Sequence, residues 1–342
     1  MKVCVYGAGA IGGYLGLQLA RAGADVSLVA RGAHLEAMRA QGLRLLIDGH
    51  EYVERIRCTD APADLGVQDC VIVALKAHSI AQAVLPMLPL LRADTMIVTA
   101  SNGLPYWFFD VPGVPYHGLA LTSVDPGDVQ RTHLGYARAV GCVVLPATQI
   151  VAPGVIRHEH GNKFPIGEPD GARTPRIEQL HELLTGADFD APIRTDIRNE
   201  IWLKLWGNQC LNPVSALTGA TVDVVASDPG SRAVLLAMMR EASAIGERLG
   251  LALRVDAKRR LDGAAALGPH KMSMLQDLER GRPMEVEALV GVIGELAHVT
   301  GIATPTVDAV LALIRLRATR PASPAPATRP PAASEASGGA SA

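Results

Sequence analysis

The spacing of apolar positions changes its rhythm once along the chain. Residues 2–6 form a β-branched run that stops at glycines, and residues 11–22 then space their apolar side chains as a buried helix does. Residues 25–30 and 69–75 (DCVIVAL) read as further strands, with a helical stretch around 33–41 between them. A helix over 79–91 and a strand over 95–100 continue the alternation, and the prolines and glycines of 105–118 mark a loop. Strands alternating with helices predict a parallel sheet covered on both faces. Mixed strand signals over 134–146 and 154–166 predict antiparallel additions at the edge of that sheet.

From about Thr195 the strand-like runs disappear, and helical patterns fill 197–210, 231–249, 256–267, 270–280 and 283–299. Pro283 suits a first helical turn, and Gly301 suits a left-handed stop before Pro305. The pattern predicts an α/β domain over 1–185 and an all-α domain over 186–317, with the boundary falling in 170–195. Beyond about Arg317 the Pro, Ala, Ser and Gly residues of the tail, 318–342, offer too little apolar side chain to offset the entropy of ordering. That tail is expected to be disordered and dispensable for chemistry.

Composition narrows the picture. At 342 residues, 49% of them hydrophobic, the chain is long enough for two ordinary cores. The 32 basic residues are scattered and the net charge is −2, which argues against nucleic acid as a partner. Five cysteines (Cys4, Cys58, Cys70, Cys142 and Cys210) form no CxxC pair and leave an odd thiol, as expected in a reducing cytoplasm. The first apolar stretch breaks into glycines too early for a signal peptide or a membrane span, so a soluble, untargeted chain is expected.

The first chemical signal is Gly7-Ala8-Gly9-Ala10-Ile11-Gly12, a G-x-G-x-x-G pattern between a strand and a helix. In a Rossmann-type domain Gly7 would allow the tight turn, Gly9 the close approach of backbone to a pyrophosphate, and Gly12 the packing of helix on strand. At the end of the second strand, where an NAD enzyme usually carries Asp or Glu, the sequence reads Val29-Ala30-Arg31. A guanidinium suits a 2′-phosphate, so NADPH is expected over NADH.

The strand-end VALKAH (73–78), SNG (101–103), IWLKLWGNQCLNPVSALTG (201–219) and SMLQDLERGRPMEVE (273–287) accompany GAGAIGG in an order that resembles the ketopantoate reductase family over about residues 1–315. The resemblance implies a Rossmann-type domain followed by a helical one, as in 6-phosphogluconate dehydrogenase-like folds. It implies NADPH-dependent reduction of 2-dehydropantoate to (R)-pantoate in pantothenate biosynthesis.

Lys204, Asn208 and Asn212 fall at i, i+4 and i+8, which stacks them on one helix face. Hydride attack on a ketone carbon charges its oxygen, so a proton donor must stand beside that oxygen. By resemblance Lys204 is that general acid, while Asn208, Asn212 and Ser273 bind substrate. Asn212, just before Pro213, would otherwise mark a helix kink. Glu285 matches an acidic residue near the catalytic lysine, where it would orient Lys204 or hydrogen-bond the substrate hydroxyl; read bare, it is an exposed carboxylate at a helix start. Lys76 and Asn102, placed just after strands, match positions at the cofactor–substrate junction: Lys76 toward cofactor or substrate charge, Asn102 toward the nicotinamide ribose or substrate.

Other signals carry less. His78, His117, His158 and His160 lack metal-ligand spacing and read as loop or surface residues, His78 with an outside chance of touching the cofactor; no metal is expected. One alternative is a paralogue acting on another branched 2-oxo acid, because the stretch 161–171, Trp206 and the bulky run Tyr106-Trp107-Phe108-Phe109 put the pocket's shape in question. Another is an NADPH-binding sensor without turnover, disfavoured by the intact Lys204, Asn208, Ser273 and Glu285. A third, a docking protein using Pro321-x-x-Pro324, fits loosely. A homodimer through the helical domain is a further expectation.

Overall fold

The computed structural model describes residues 1–320, so the proline-rich tail and its PxxP segment lie outside the described residues beyond that point. The first half runs β1 (Lys2–Tyr6), α1 (Ala10–Arg21), β2 (Asp25–Val29), α2 (Gly32–Gln41), β3 (Leu43–Ile47), β4 (His50–Glu54), β5 (Arg57–Thr59), β6 (Cys70–Val73), α3 (Ala77–Met87), β7 (Met96–Thr99), α4 (Val129–Leu134), β8 (Ala139–Cys142), β9 (Ala147–Ala152), β10 (Val155–His160), β11 (Ile166–Gly167) and α5 (Pro175–Gly186). Seven strands form one sheet in the order β11-β8-β7-β6-β1-β2-β5, parallel except for β11 against β8.

The two-residue period of a strand decides which core each side chain joins. Val3 and Val5 of β1 pack with α1 and α5, whereas Cys4 and Tyr6 pack on the opposite face. That opposite face shares one continuous core with Ile197, Trp202 and Trp206 of the helical half. The sheet order reverses between β1 and β6, which opens a crevice at their carboxyl ends, where ligands of doubly wound sheets bind.

The edge expectation for 134–146 and 154–166 needs correction. Only β11 is an antiparallel edge strand; β8 runs parallel beside β7. β10 belongs instead to a second, four-stranded sheet, order β4-β3-β10-β9, which packs on α1, and β9 lies between the two stretches read as strand. A Cβ on Gly13 of α1 would lie 2.8 Å from Ile156 of β10, so the sheet can lie close only because that side chain is absent.

The second half contains α6 (Ile197–Thr218), α7 (Val222–Ser227), α8 (Pro229–Arg248), α9 (Ala257–Ala265), α10 (Ser273–Glu279), a π-helical turn at Glu287–Gly291, α11 (Val292–Thr300) and α12 (Pro305–Ala318). Gly301 does stop α11 in the left-handed region, at φ 70°. Pro283 does not open a helix: residues 282–285 belong to no helix or strand, and helix begins at Val286. Pro213 sits inside α6, so Asn212 marks no helix end. Among the described residues no helix is long and apolar enough to cross a membrane.

Candidate active site

The glycine motif forms the turn between β1 and α1. Gly7 adopts φ 104°, and a Cβ on Gly12 would come within 2.0 Å of the Gly7 carbonyl oxygen, so both positions exclude a side chain. A Cβ on Gly9 would meet nothing within 4 Å, which leaves its backbone open to the crevice. The amino end of α1 has no side-chain cap, and the Gly9 N–H has no partner among the described residues. Unsatisfied donors at a helix start fit the pyrophosphate of a dinucleotide.

Beside this turn a cavity of about 400 Å³ is lined by Tyr6, Val29, Arg31 and His34. Arg31 is exposed and, among the described residues, forms no ion pair. Asp60 shares the cavity and lies 3.4 Å from Arg39, which offsets its charge. The cavity fits the adenosine end of the cofactor, with a free guanidinium available to a phosphate.

On the other side a cleft of about 540 Å³ reaches from Gly7 and Gly9 to Lys204, Asn208, Asn212 and Ser273. Lys204 Nζ donates to Asn102 Oδ1 at 2.9 Å and to the Val144 carbonyl at 2.5 Å. Asn102 Nδ2 donates to Glu285 Oε2 at 3.0 Å, and the Ala77 N–H donates to Glu285 Oε1 at 2.9 Å. Lys76 Nζ lies 3.3 Å from Glu285 Oε2 and 2.7 Å from Asp277 Oδ2. One chain of polar contacts thus ties the ends of β6 and β7 to α6, α10 and the segment before α11.

Charge in this chain is set by burial and by neighbours. Burial pushes the Lys204 ammonium down to about 8, while Glu285 and the Cys142 thiol hold it up. Burial opposes the charge on Glu285, which is 4% exposed, yet Lys76, the Ala77 N–H and Asn102 outweigh it and keep the carboxyl below its usual range. Burial likewise opposes the charge on Lys76, but Glu285 and Asp277 raise it above the ordinary lysine value. Lys204 is the one cation of the set whose proton is loosened.

A family model described as ketopantoate reductase PanE/ApbA matches residues 3–106, and one described as its C-terminal part matches 196–318. A protein from Mesorhizobium japonicum named 2-dehydropantoate 2-reductase is 51% identical over 316 residues, covering 92% of this chain and 97% of its own.

The chain belongs to the ketopantoate reductase family.

Solved structures of the family agree in shape. One from Ralstonia solanacearum, provisionally named a ketopantoate reductase, is 42% identical with a TM-score of 0.89, covering 93% of this chain and 98% of its own. A PanE/ApbA family ketopantoate reductase from Ralstonia eutropha is 28% identical with a TM-score of 0.81, covering 93% and 99%.

Lys204, Asn208, Asn212, Ser273, Glu285, Lys76 and Asn102, the residues to which the family resemblance gave roles, all line the cleft. Their partners refine the expectations. Asn212, 1% exposed, accepts hydrogen bonds at Oδ1 from Ser273 Oγ at 3.1 Å and from the Met274 N–H at 3.2 Å, so it joins α6 to α10. Glu285 is not an exposed helix-start carboxylate; it is buried and caps the amino end of α3 from the other half of the chain. Lys76 is engaged by two carboxylates and bridges the two halves.

Trp206 turns away from the cleft and donates to the Met239 carbonyl at 2.8 Å. Tyr106, Trp107, Phe108 and Phe109 are buried in the core, and neither they nor residues 161–171 line the cleft, so the features that put the pocket's shape in question do not shape it. His158 is no bare surface residue, since its ring lies 4.9 Å from that of Tyr14. His78 lines the cleft.

Two residues escaped the sequence reading. Asp277 stood in the quoted SMLQD motif, but its pairing with Lys76 spans 201 residues. His34 lies in a helix of unremarkable composition, and only the fold brings it to the glycine turn.

Proposed function

We propose that this chain reduces 2-dehydropantoate to (R)-pantoate with NADPH, Lys204 serving as the general acid. The observation that carries the reading is Lys204 itself, an ammonium with lowered proton affinity in the same cleft as the dinucleotide turn. Family membership and the name of the Mesorhizobium japonicum relative support the substrate. Arg31, free of ion pairs beside the glycine turn, supports NADPH over NADH.

Bound across the glycine turn, the nicotinamide would supply hydride to the carbonyl carbon of the substrate. Lys204 spends two of its three N–H donors on Asn102 and Val144, which leaves the third for the carbonyl oxygen. A donor whose affinity for its proton is reduced toward the working pH releases it readily as negative charge develops on that oxygen. Glu285, acting through Asn102, orients Lys204 and keeps it charged. Asn208, the amide nitrogen of Asn212 and Ser273 are assigned to the hydroxyl and carboxylate of the substrate. Lys76 is assigned to hold Glu285 in place. Cytoplasmic residence and a homodimer through the helical domain belong to the same proposal, and light scattering reads the assembly.

The test follows NADPH oxidation with 2-dehydropantoate and a panel of branched 2-oxo acids, with NADH and Lys204→Ala as controls. Turnover of 2-dehydropantoate that is lost in the variant and weak with NADH is the expected result. Turnover of a different 2-oxo acid alone would point to a paralogue, and tight NADPH binding without any turnover would point to a sensor.

A further inference from the structure

We propose that His34 is a positioning residue that aims the Gly9 amide of the dinucleotide turn at the cofactor's pyrophosphate, an inference that rests on the cofactor site described above. His34, on α2, stands between the glycine turn and the β9–β10 turn. Its Nδ1 lies 3.0 Å from the Gly154 backbone nitrogen and accepts that N–H, so Nδ1 carries no proton. Its Nε2 therefore carries the hydrogen and donates it to the Ala8 carbonyl at 2.8 Å. Burial lowers the proton affinity of the ring, in keeping with the neutral tautomer.

Among the described residues the Ala8 carbonyl has no backbone donor: the first bond at the start of α1 runs from Gly13 to Gly9. On the other side of the turn, the Gly7 and Ala8 N–H groups both donate to the Val29 carbonyl, at 3.0 and 2.9 Å. β2 thus anchors the turn by its amides, and His34 anchors it by its carbonyl. The Ala8–Gly9 peptide is trans, so its C=O and N–H point in opposite directions. Holding the Ala8 oxygen toward α2 turns the unpartnered Gly9 N–H to the opposite side, and Gly9 lines the cleft.

The second sheet supplies the other support. Gly154, in the turn between β9 and β10, packs so closely on α2 that a Cβ there would lie 3.1 Å from the Ala37 Cβ. Its carbonyl accepts from the Arg44 N–H at 2.9 Å, which ties the turn to β3. The four-stranded sheet braces His34, and His34 braces the phosphate-binding turn.

The experiment is calorimetric titration of NADP⁺ into the wild type and into His34→Gln, His34→Asn and His34→Ala, with unfolding midpoints measured in parallel. A glutamine amide nitrogen reaches the position of Nε2, whereas an asparagine oxygen reproduces only Nδ1. Loss of one amide bond to a charged phosphate is expected to weaken NADP⁺ by about tenfold in the Ala and Asn variants. The Gln variant is expected to bind nearly as the wild type does. The KM for NADPH should rise with the dissociation constant while kcat at saturation stays unchanged. Adenosine 2′-monophosphate, which has no 5′-phosphate, should bind all four proteins alike. Wild-type affinity in His34→Asn would overturn the inference, because the Ala8 bond would then be immaterial. Equal losses for NADP⁺ and the 2′-monophosphate would also overturn it, by placing His34 on the adenosine end. Failure of the wild type to bind NADP⁺ would instead defeat the cofactor-site reading.

Discussion

Around the glycine turn the cleft presents main chain, whereas around Lys204 it presents charged and amide side chains from both halves of the chain. At the glycine turn, Gly7, Gly9 and Gly12 act by lacking a Cβ, and the donors are backbone N–H groups fixed by neighbouring strands. Across the cleft, Lys204 depends on Asn102 and Val144, and Asn102 in turn on Glu285. Backbone donors have no side chain of their own to exchange, so such a site is destroyed by added volume and altered only through the groups that hold it. A side-chain network tolerates volume better and fails when a charge or a hydrogen-bond partner is removed.

The largest test of this contrast is Lys204→Ala. It should lower kcat by roughly 10²–10⁴-fold, the span of general-acid catalysis, while calorimetry finds NADP⁺ affinity unchanged. Gly12→Ala should do the converse: the new methyl meets the Gly7 carbonyl, so denaturant unfolding should find a loss of about 1–3 kcal/mol, and dinucleotide affinity should fall with it. Arg31→Gln should raise the KM for NADPH by roughly 10–100-fold and leave the KM for NADH nearly unaltered, as loss of a charged hydrogen bond predicts.

The pH profile sharpens the side-chain half. Lys204 holds its proton below about pH 8 and loses it above, so kcat should fall as pH rises through that value. Glu285 favours the charged lysine, so Glu285→Gln should move the alkaline limb to lower pH. A limb that stays in place would show that Lys204 and Glu285 do not communicate. The smallest effect is expected from Asp277→Asn. Lys76 is 41% exposed and keeps Glu285 as a partner, so unfolding should register at most about 1 kcal/mol, with kcat little changed.

Legibility in the sequence followed the range of the interactions. The strand-turn-helix at the glycines could be read because its steric demands lie within a dozen residues. The face shared by Lys204, Asn208 and Asn212 could be read because helical spacing alone sets it, and α6 continues through Pro213 to preserve it. The hairpin of β3 and β4 went unread although Asp48-Gly49 marks it: both residues have positive φ, 49° and 77°, as a tight turn between paired strands requires. β10 looked like an edge strand because alternation tells which residues are strand but not which sheet receives them, and β9 (Ala147–Ala152) fell between the two stretches read as strand. Pro283 read as a helix start because proline is equally at home in the irregular segment before one.

By itself the sequence determined the α/β half with its dinucleotide turn, the helical half, and the set of side chains capable of the chemistry. Each of these follows from local sterics, hydrophobic period or a family motif. Only the tertiary structure decided that Lys76 answers to Asp277 and Glu285, that Glu285 caps a helix in the other half, and that His34 holds the Ala8 carbonyl. Those contacts join residues 201, 208 and 26 positions apart, and a hydrogen bond depends on distance in space, which the order of residues along the chain does not specify.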